Sequence, residues 1–236
     1  MRSSRSATDP LDPARNGFAH RGLHHAPAII ENSFAAFAAA LELGAGIECD
    51  LRLTADGEIV VFHDRDAARL CNDPSEIGKS TLAELGRLQV GGRPIPTLAG
   101  LLALVNGRVP LLLEIKVDDN VWRWAPALRE ALSEYRGPFG IMSFDPRIAR
   151  LLKTNWPEAR SGLVIRDSLS LLRRWWAMKV ADPQFLAVEV AALGKPWVEK
   201  ARTAMPVYSW TSRSRDDARR IRNFADAAIW EADGRP

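Results

Sequence analysis

Short apolar runs alternate with stretches of helical periodicity along almost the whole chain. Such alternation predicts an α/β fold with a mainly parallel sheet. Gly17-Phe18-Ala19 predicts a short strand ending at His20. Asn32 or Ser33 is placed to cap a helix carrying Phe34, Phe37, Ala38 and Leu41 on one face, with Gly44 as its stop. Residues 47–53 alternate like a strand, and 58–62 form another. Leu82, Leu85 and Leu88 mark a short helix, and 97–105 a stronger one behind Pro94 and Pro96. From there the pattern predicts strands over 109–115, 139–143, 162–165, 185–190, 207–210 and 227–230. Helices are expected between them, over 122–135, 145–155, through Trp175 and Trp176, 196–203 and 216–223. About eight strands interleaved with helices predict a single (β/α)8 TIM-type barrel. The hairpin near Asp56 and the long polar loop from His63 to Lys79 read as a small insertion after the second strand. The polar stretch 1–16 is expected to be a flexible tail, and 17–236 the barrel domain.

Composition narrows the class. Hydrophobic residues make up 47% and charged residues 26% of the 236, an ordinary globular balance. The two cysteines, Cys49 and Cys71, have no CxxC neighbour, which excludes a cysteine zinc cluster and argues against a disulfide framework. Reduced thiols fit a cytoplasmic location. The net charge of +3 reads either as a weak attraction for phosphate-bearing substrates or as plain solvated surface. No long basic tract points to nucleic acid. No segment looks like a signal peptide or a membrane span, so no integral membrane association is expected.

Candidate chemistry lies at the strand ends. In a strand, side chains at i and i+2 share a face about 6.5–7 Å apart. Glu48 and Asp50 therefore point one way, while Ile47, Cys49 and Leu51 point to the apolar side. Two carboxylates on one buried face repel each other and call for a cation or a shared proton; ordinary ion-paired acids are the plainer alternative. The turn Ala55-Asp56-Gly57 leaves no room for a crossover helix, so its two strands run antiparallel. Centring that turn on Asp56 sets His63 opposite Cys49, between Glu48 and Asp50. His20, followed by Arg21, ends another strand, where barrel enzymes carry their catalytic groups. Glu114 and Lys116 form a second i, i+2 pair, read either as mutual neutralisation or as a further metal carboxylate beside a phosphate-binding ammonium. Oxygen-only ligands favour a hard cation, Mg2+ or Ca2+. Two histidines suit general acid and base, and Arg and Lys suit a phosphate.

These residues sit in motifs that resemble the glycerophosphodiester phosphodiesterase family, of the bacterial type within the phospholipase C-like phosphodiesterase superfamily. The motifs are Ala19-His20-Arg21-Gly22, Glu31-Asn32-Ser33 with Phe37 and Ala40, Gly46-Ile47-Glu48-Cys49-Asp50, and Leu53-Thr54-Ala55-Asp56-Gly57. Val60-Val61-Phe62-His63-Asp64, Ile95-Pro96-Thr97-Leu98, Leu113-Glu114-Ile115-Lys116, Ser143-Phe144 and Tyr208-Ser209-Trp210-Thr211 follow in the family's order. The resemblance implies a barrel hydrolase that converts glycerophosphodiesters to sn-glycerol 3-phosphate and an alcohol. It implies His20 and His63 as the catalytic pair and Glu48, Asp50 and Glu114 as ligands of one divalent cation. It also implies Arg21 and Lys116 as phosphate contacts and Trp210 as an aromatic at the substrate rim.

Two segments depart from the family pattern. Trp210-Thr211-Ser212-Arg213 stands where relatives often read Trp-Thr-Val-Asn. Ala228-Ile229-Trp230-Glu231-Ala232-Asp233-Gly234 replaces Gly-Ile-Ile-Thr-Asp before the final Arg-Pro. The rim that selects the head group is therefore altered, while the chemical core is intact. Water and the neighbouring glycerol hydroxyl both remain open as the attacking group. Two other functions fit the same fold. Leu171, Leu172, Arg173, Arg174, Trp175 and Trp176 would suit a lysophospholipase D working at a lipid surface. The favoured reading instead makes these tryptophans core and the arginines solvated. A non-catalytic binding barrel would be expected to have lost a histidine or a carboxylate, and none is missing. His24 and His25 are expected to be exposed loop residues.

Overall fold

Strands whose side chains alternate between two apolar environments are what this sequence supplies, and they close on themselves. The computed structural model describes residues 11, 13, 16–118 and 120–236. The barrel opens with β1 (Phe18–Ala19), α1 (Phe34–Leu43) and β2 (Gly46–Leu53). An insertion follows: β3 (Ile59–Val61), α2 (Ala68–Cys71), α3 (Leu82–Leu85), β4 (Gln89–Val90) and β5 (Arg93–Pro94). Strict alternation then resumes with α4 (Leu98–Val105), β6 (Leu111–Ile115), α5 (Trp124–Leu132), β7 (Phe139–Ser143), α6 (Pro146–Asn155) and β8 (Ser161–Ile165). It ends with α7 (Leu171–Ala181), β9 (Phe185–Glu189), α8 (Pro196–Arg202), β10 (Val207–Ser212), α9 (Arg215–Phe224) and β11 (Ala227–Trp230). β1 pairs in parallel with both β2 and β11, so the sheet closes through β6, β7, β8, β9 and β10. The result is a (β/α)8 barrel of eight parallel strands.

Local signals set the element ends. Ser33 caps α1 by accepting a hydrogen bond from the Ala36 amide, and Gly44 ends it in the left-handed conformation. Strand β6 begins at Leu111 rather than 109, because Pro110 has no amide to give to a ladder. Helix α5 starts at Trp124, after a short 3-10 turn over Val121–Arg123; Pro126 falls within its first turn, where amides lack partners in any case. The β2–β3 hairpin pairs Leu51 with Val61 and Leu53 with Ile59, the register expected from a turn centred on Asp56.

The two faces of each strand enter different cores. Ile47, Cys49 and Leu51 of β2 and Leu111, Leu113 and Ile115 of β6 pack outward against the helices. The barrel interior holds Phe18, Leu112, Met142, Val164, Phe185 and Tyr208. Leu11 joins that interior and is fully buried. Leu11 lies within the stretch 1–16 that the sequence suggests is a flexible tail, and this residue of it packs inside the barrel. Gly140 faces inward, and a Cβ there would stand 2.6 Å from Leu11 Cδ1, so the bare backbone leaves the space that Leu11 fills. The rest of that tail, residues 1–10, 12, 14 and 15, lies outside the described residues.

The insertion builds a small core of its own from Val60, Phe62, Ala67, Ile77, Leu85 and Val90 with their neighbours. It includes a second hairpin, β4–β5, in addition to the expected loop.

The orientation expected for α7 is also corrected. Its tryptophans are not core: Trp175 is 61% exposed, Leu172 is 79% exposed, and Leu171 and Trp176 lie open beside them. The helix turns Ala177 and Ala181 inward instead. Small side chains let it sit close to the sheet, and the large ones fall on the outer face.

Candidate active site

The C-terminal ends of the strands carry the polar residues, as in barrel enzymes generally. On β2 the inward positions after the apolar base are Glu48, Asp50 and Arg52, all buried. On β6 they are Leu112, Glu114 and then Lys116, so a single inward row changes from apolar at the base to charged at the top.

His20 leaves β1 and its amide bonds the Trp230 carbonyl. The next residue, Arg21, has φ of 57° and Gly22 has φ of 77°. This local left-handed turn is costly for Arg21 and is held by the structure around it. It aims the Arg21 amide at Glu48 Oε2, 3.0 Å away. The Arg21 guanidinium spans Glu31, at 2.7 Å, and Asp50, at 3.2 Å. Asn32 donates to Asp50 Oδ2 at 2.8 Å. Lys116 sits between Asp50 Oδ1, at 2.9 Å, and Glu114. His63 follows β3, and its Nδ1 lies 2.7 Å from Asp64, which Arg69 holds in turn. Trp210 on β10 donates its indole N–H to the Ala187 carbonyl at 3.1 Å and meets Phe144 edge to face.

His20, Arg21, Glu48, His63, Glu114 and Lys116 thus border one cavity of about 200 Å³, with Phe144 and Trp210 on its apolar side and the Arg166 guanidinium over the Phe144 ring. Asp50 lies beneath it, in contact with Arg21 and Lys116. The structure brings together all the residues that the sequence reading selected.

The electrostatics follow from burial and neighbours. Burial, then the charges of Asp50 and Glu114, push the Glu48 carboxyl well above its ordinary range. Burial also raises Glu114, partly opposed by Lys116. Burial acts the same way on Asp50, but Lys116 and Arg21 outweigh it and hold that carboxyl below the usual range. Burial lowers both histidines; a hydrogen bond to Glu231 opposes it at His20, and the charge of Asp50 opposes it at His63.

A divalent cation fits this donor set. Glu48, Asp50 and Glu114 each present an oxygen within 4.8 Å of the others. Glu48 Oε1 is buried with no hydrogen-bond partner, an expensive state for a carboxylate oxygen unless a cation meets it. All three donors are hard oxygens.

One residue at the centre was not singled out as a site residue from sequence. Glu231, just past β11, approaches His20 Nδ1 to 2.8 Å and accepts from Arg213 at 2.5 Å. His24 Nε2 stands 3.7 Å from the same carboxylate, so His24 is half-buried and not the exposed loop residue expected, whereas His25 is exposed. Glu231 and Arg213 belong to the two segments that depart from the family pattern. The signal available in sequence was position: Glu231 follows the last strand as His20 follows the first, and closure makes those strands neighbours.

The sequence model described as the Glycerophosphoryl diester phosphodiesterase family matches residues 20–229. The chain belongs to this family. It is therefore an enzyme, a phosphoric diester hydrolase. A glycerophosphodiester phosphodiesterase of Caldanaerobacter subterraneus subsp. tengcongensis is 33% identical over 166 residues, 64% of this chain and 67% of the relative. Among solved structures, the glycerophosphodiester phosphodiesterase of Thermotoga maritima superposes with a TM-score of 0.74 at 28% identity, covering 90% of this chain and 92% of that one. A phosphodiesterase of Oleispira antarctica, solved in complex with the product sn-glycerol-3-phosphate, shares the fold with a TM-score of 0.80 at 24% identity, covering 91% of each chain.

Proposed function

We infer that this enzyme hydrolyses glycerophosphodiesters to sn-glycerol 3-phosphate and an alcohol. His20 and His63 act as the acid–base pair, and one Mg2+ or Ca2+ is held by Glu48, Asp50 and Glu114. The observation that carries this reading is the convergence of two carboxylate-tethered histidines, three buried acids, Arg21 and Lys116 on one small cavity.

The cation, when bound, supplies positive charge to phosphoryl oxygens and so favours the transition state. Arg21 and Lys116 add donors for the same oxygens and orient the diester. Each histidine has Nδ1 tied to a carboxylate, Glu231 for His20 and Asp64 for His63. That tether fixes the ring and leaves Nε2 as the atom for proton transfer. One histidine takes the proton from the attacking oxygen, that of water or of the neighbouring glycerol hydroxyl, and the other returns a proton to the leaving alkoxide. Trp210 and Phe144 form an apolar wall beside the polar floor, suited to the carbon skeleton of the glycerol or its head group. A space of about 200 Å³ admits a group of glycerophosphate size. We place this activity in the cytoplasm, where free Cys49 and Cys71 stay reduced. Among the described residues no helix is long and apolar enough to cross a membrane.

The test is release of sn-glycerol 3-phosphate from glycerophosphocholine with Mg2+ or Ca2+ supplied. Full turnover in excess EDTA, or in the His20→Ala enzyme, would sink the mechanism.

A further inference from the structure

The outer face of α7 carries Leu171, Leu172, Trp175 and Trp176, all exposed. Exposed apolar side chains of this size in one cluster mark a docking surface. Their place in the barrel is informative. Arg166 borders the cavity, and the loop over 166–170 runs from it directly to Leu171. The α7 tip therefore lies at the catalytic end of the barrel. Trp122, also exposed, is in the loop that leaves β6 at that same end.

Charge decides what fits this face. Residues 146–182, which span α6 through α7, hold eight basic and three acidic side chains, a net +5 in a chain whose total is +3. Arg150, Arg173 and Lys179 are exposed around the apolar cluster. Arg174 is turned aside, with its guanidinium 4.4 Å from the Trp197 ring. A second copy of this chain meeting the face about a two-fold axis would set one +5 segment against another, since such an interface uses the same patch twice. An anionic lipid surface has the complementary charge, and it accepts Leu and Trp at the depth where Arg and Lys reach the head groups.

We propose that the α6–α7 face docks this enzyme peripherally on anionic membrane surfaces, with the catalytic end of the barrel toward the lipid. Docking requires no turnover, so it stands or fails separately from the assigned reaction. The test is co-sedimentation of the full chain with vesicles of equal parts phosphatidylglycerol and phosphatidylcholine, against vesicles of phosphatidylcholine alone. Binding to the anionic vesicles is expected, weakened by high salt, and cut about tenfold or more in Leu172→Glu and in Trp176→Glu. Both positions are exposed and outside the cavity, so turnover of glycerophosphocholine in solution stays at the wild-type level and reports that the variants are folded. Equal binding to neutral vesicles, no binding to either, or undiminished binding by both variants overturns the proposal. A concentration-dependent dimer that Leu172→Glu dissociates also overturns it, in favour of a second copy of the chain.

Discussion

Replacing Glu231 by Gln removes one charge at the point where β1 and β11 meet and leaves the side-chain volume nearly unchanged. In the wild-type enzyme this carboxylate stands 2.8 Å from His20 Nδ1. Its contribution grows when His20 carries a proton, because the contact then becomes an ion pair as well as a hydrogen bond. Hydrogen bonds to charged groups contribute about 1.5–3 kcal/mol, and each ~1.4 kcal/mol of transition-state stabilisation is tenfold in rate. The Gln variant should therefore lose about ten- to a hundredfold in kcat, with KM for glycerophosphocholine little changed. The pH profile supplies an independent reading. Burial lowers the His20 pKa and the hydrogen bond with Glu231 raises it, so losing the carboxylate lowers it further. Whichever limb of the profile His20 controls should move to lower pH. Glu231→Asp keeps the charge and Arg213 as its partner, and should recover part of the rate. Steady-state kinetics across pH decide the matter. A Gln variant within about twofold of wild-type kcat, with both limbs in place, would refute the positioning role.

Other consequences follow from the same geometry. Glu48→Gln removes a buried acid that faces Asp50 and Glu114, so in EDTA the protein should gain about 1–2 kcal/mol in urea unfolding while activity with metal falls at least about a hundredfold; equal or lower stability would contradict the like-charge argument. Leu11→Ala leaves a hole at the barrel base and should cost about 2–5 kcal/mol by the same assay, whereas a loss under about half a kcal/mol would return Leu11 to the tail. Gly162→Ala drives a methyl group into the Phe185 ring and should cost about 1–3 kcal/mol. Burial raises the Glu31 carboxyl, but Arg69 and Arg21 outweigh it and set its folded pKa below the ordinary 4.5, so it stabilises the fold above that value and the gain is lost as pH falls through the lower folded pKa. Arg69→Ala should accordingly move the acid-unfolding midpoint to higher pH, and an unmoved midpoint in circular dichroism would rule this out.

Much of the site was legible because it is built from short-range rules. The period-2 geometry of a strand puts Glu48 and Asp50 on one face whatever the rest of the chain does. A tight turn centred on Asp56 suggests a register that delivers His63 beside them, and the observed β2–β3 pairing has that register. Repetition of strand and helix predicts a parallel barrel, and barrels carry chemistry at the strand ends. Periodicity alone, though, does not say what an apolar side chain meets. The α7 pattern holds large and small apolar residues on different faces, and only contact with the sheet selects Ala177 and Ala181 as the inward pair. Leu11 precedes the first strand in a polar stretch, and its burial uses the space left by Gly140 far along the chain. The His20–Glu231 contact spans 211 positions and exists because the last strand closes on the first. Sequence determined which side chains share a strand face, because that is fixed within a few residues. Closure of the sheet decided which strand ends share a cavity, because it depends on all eight strands at once.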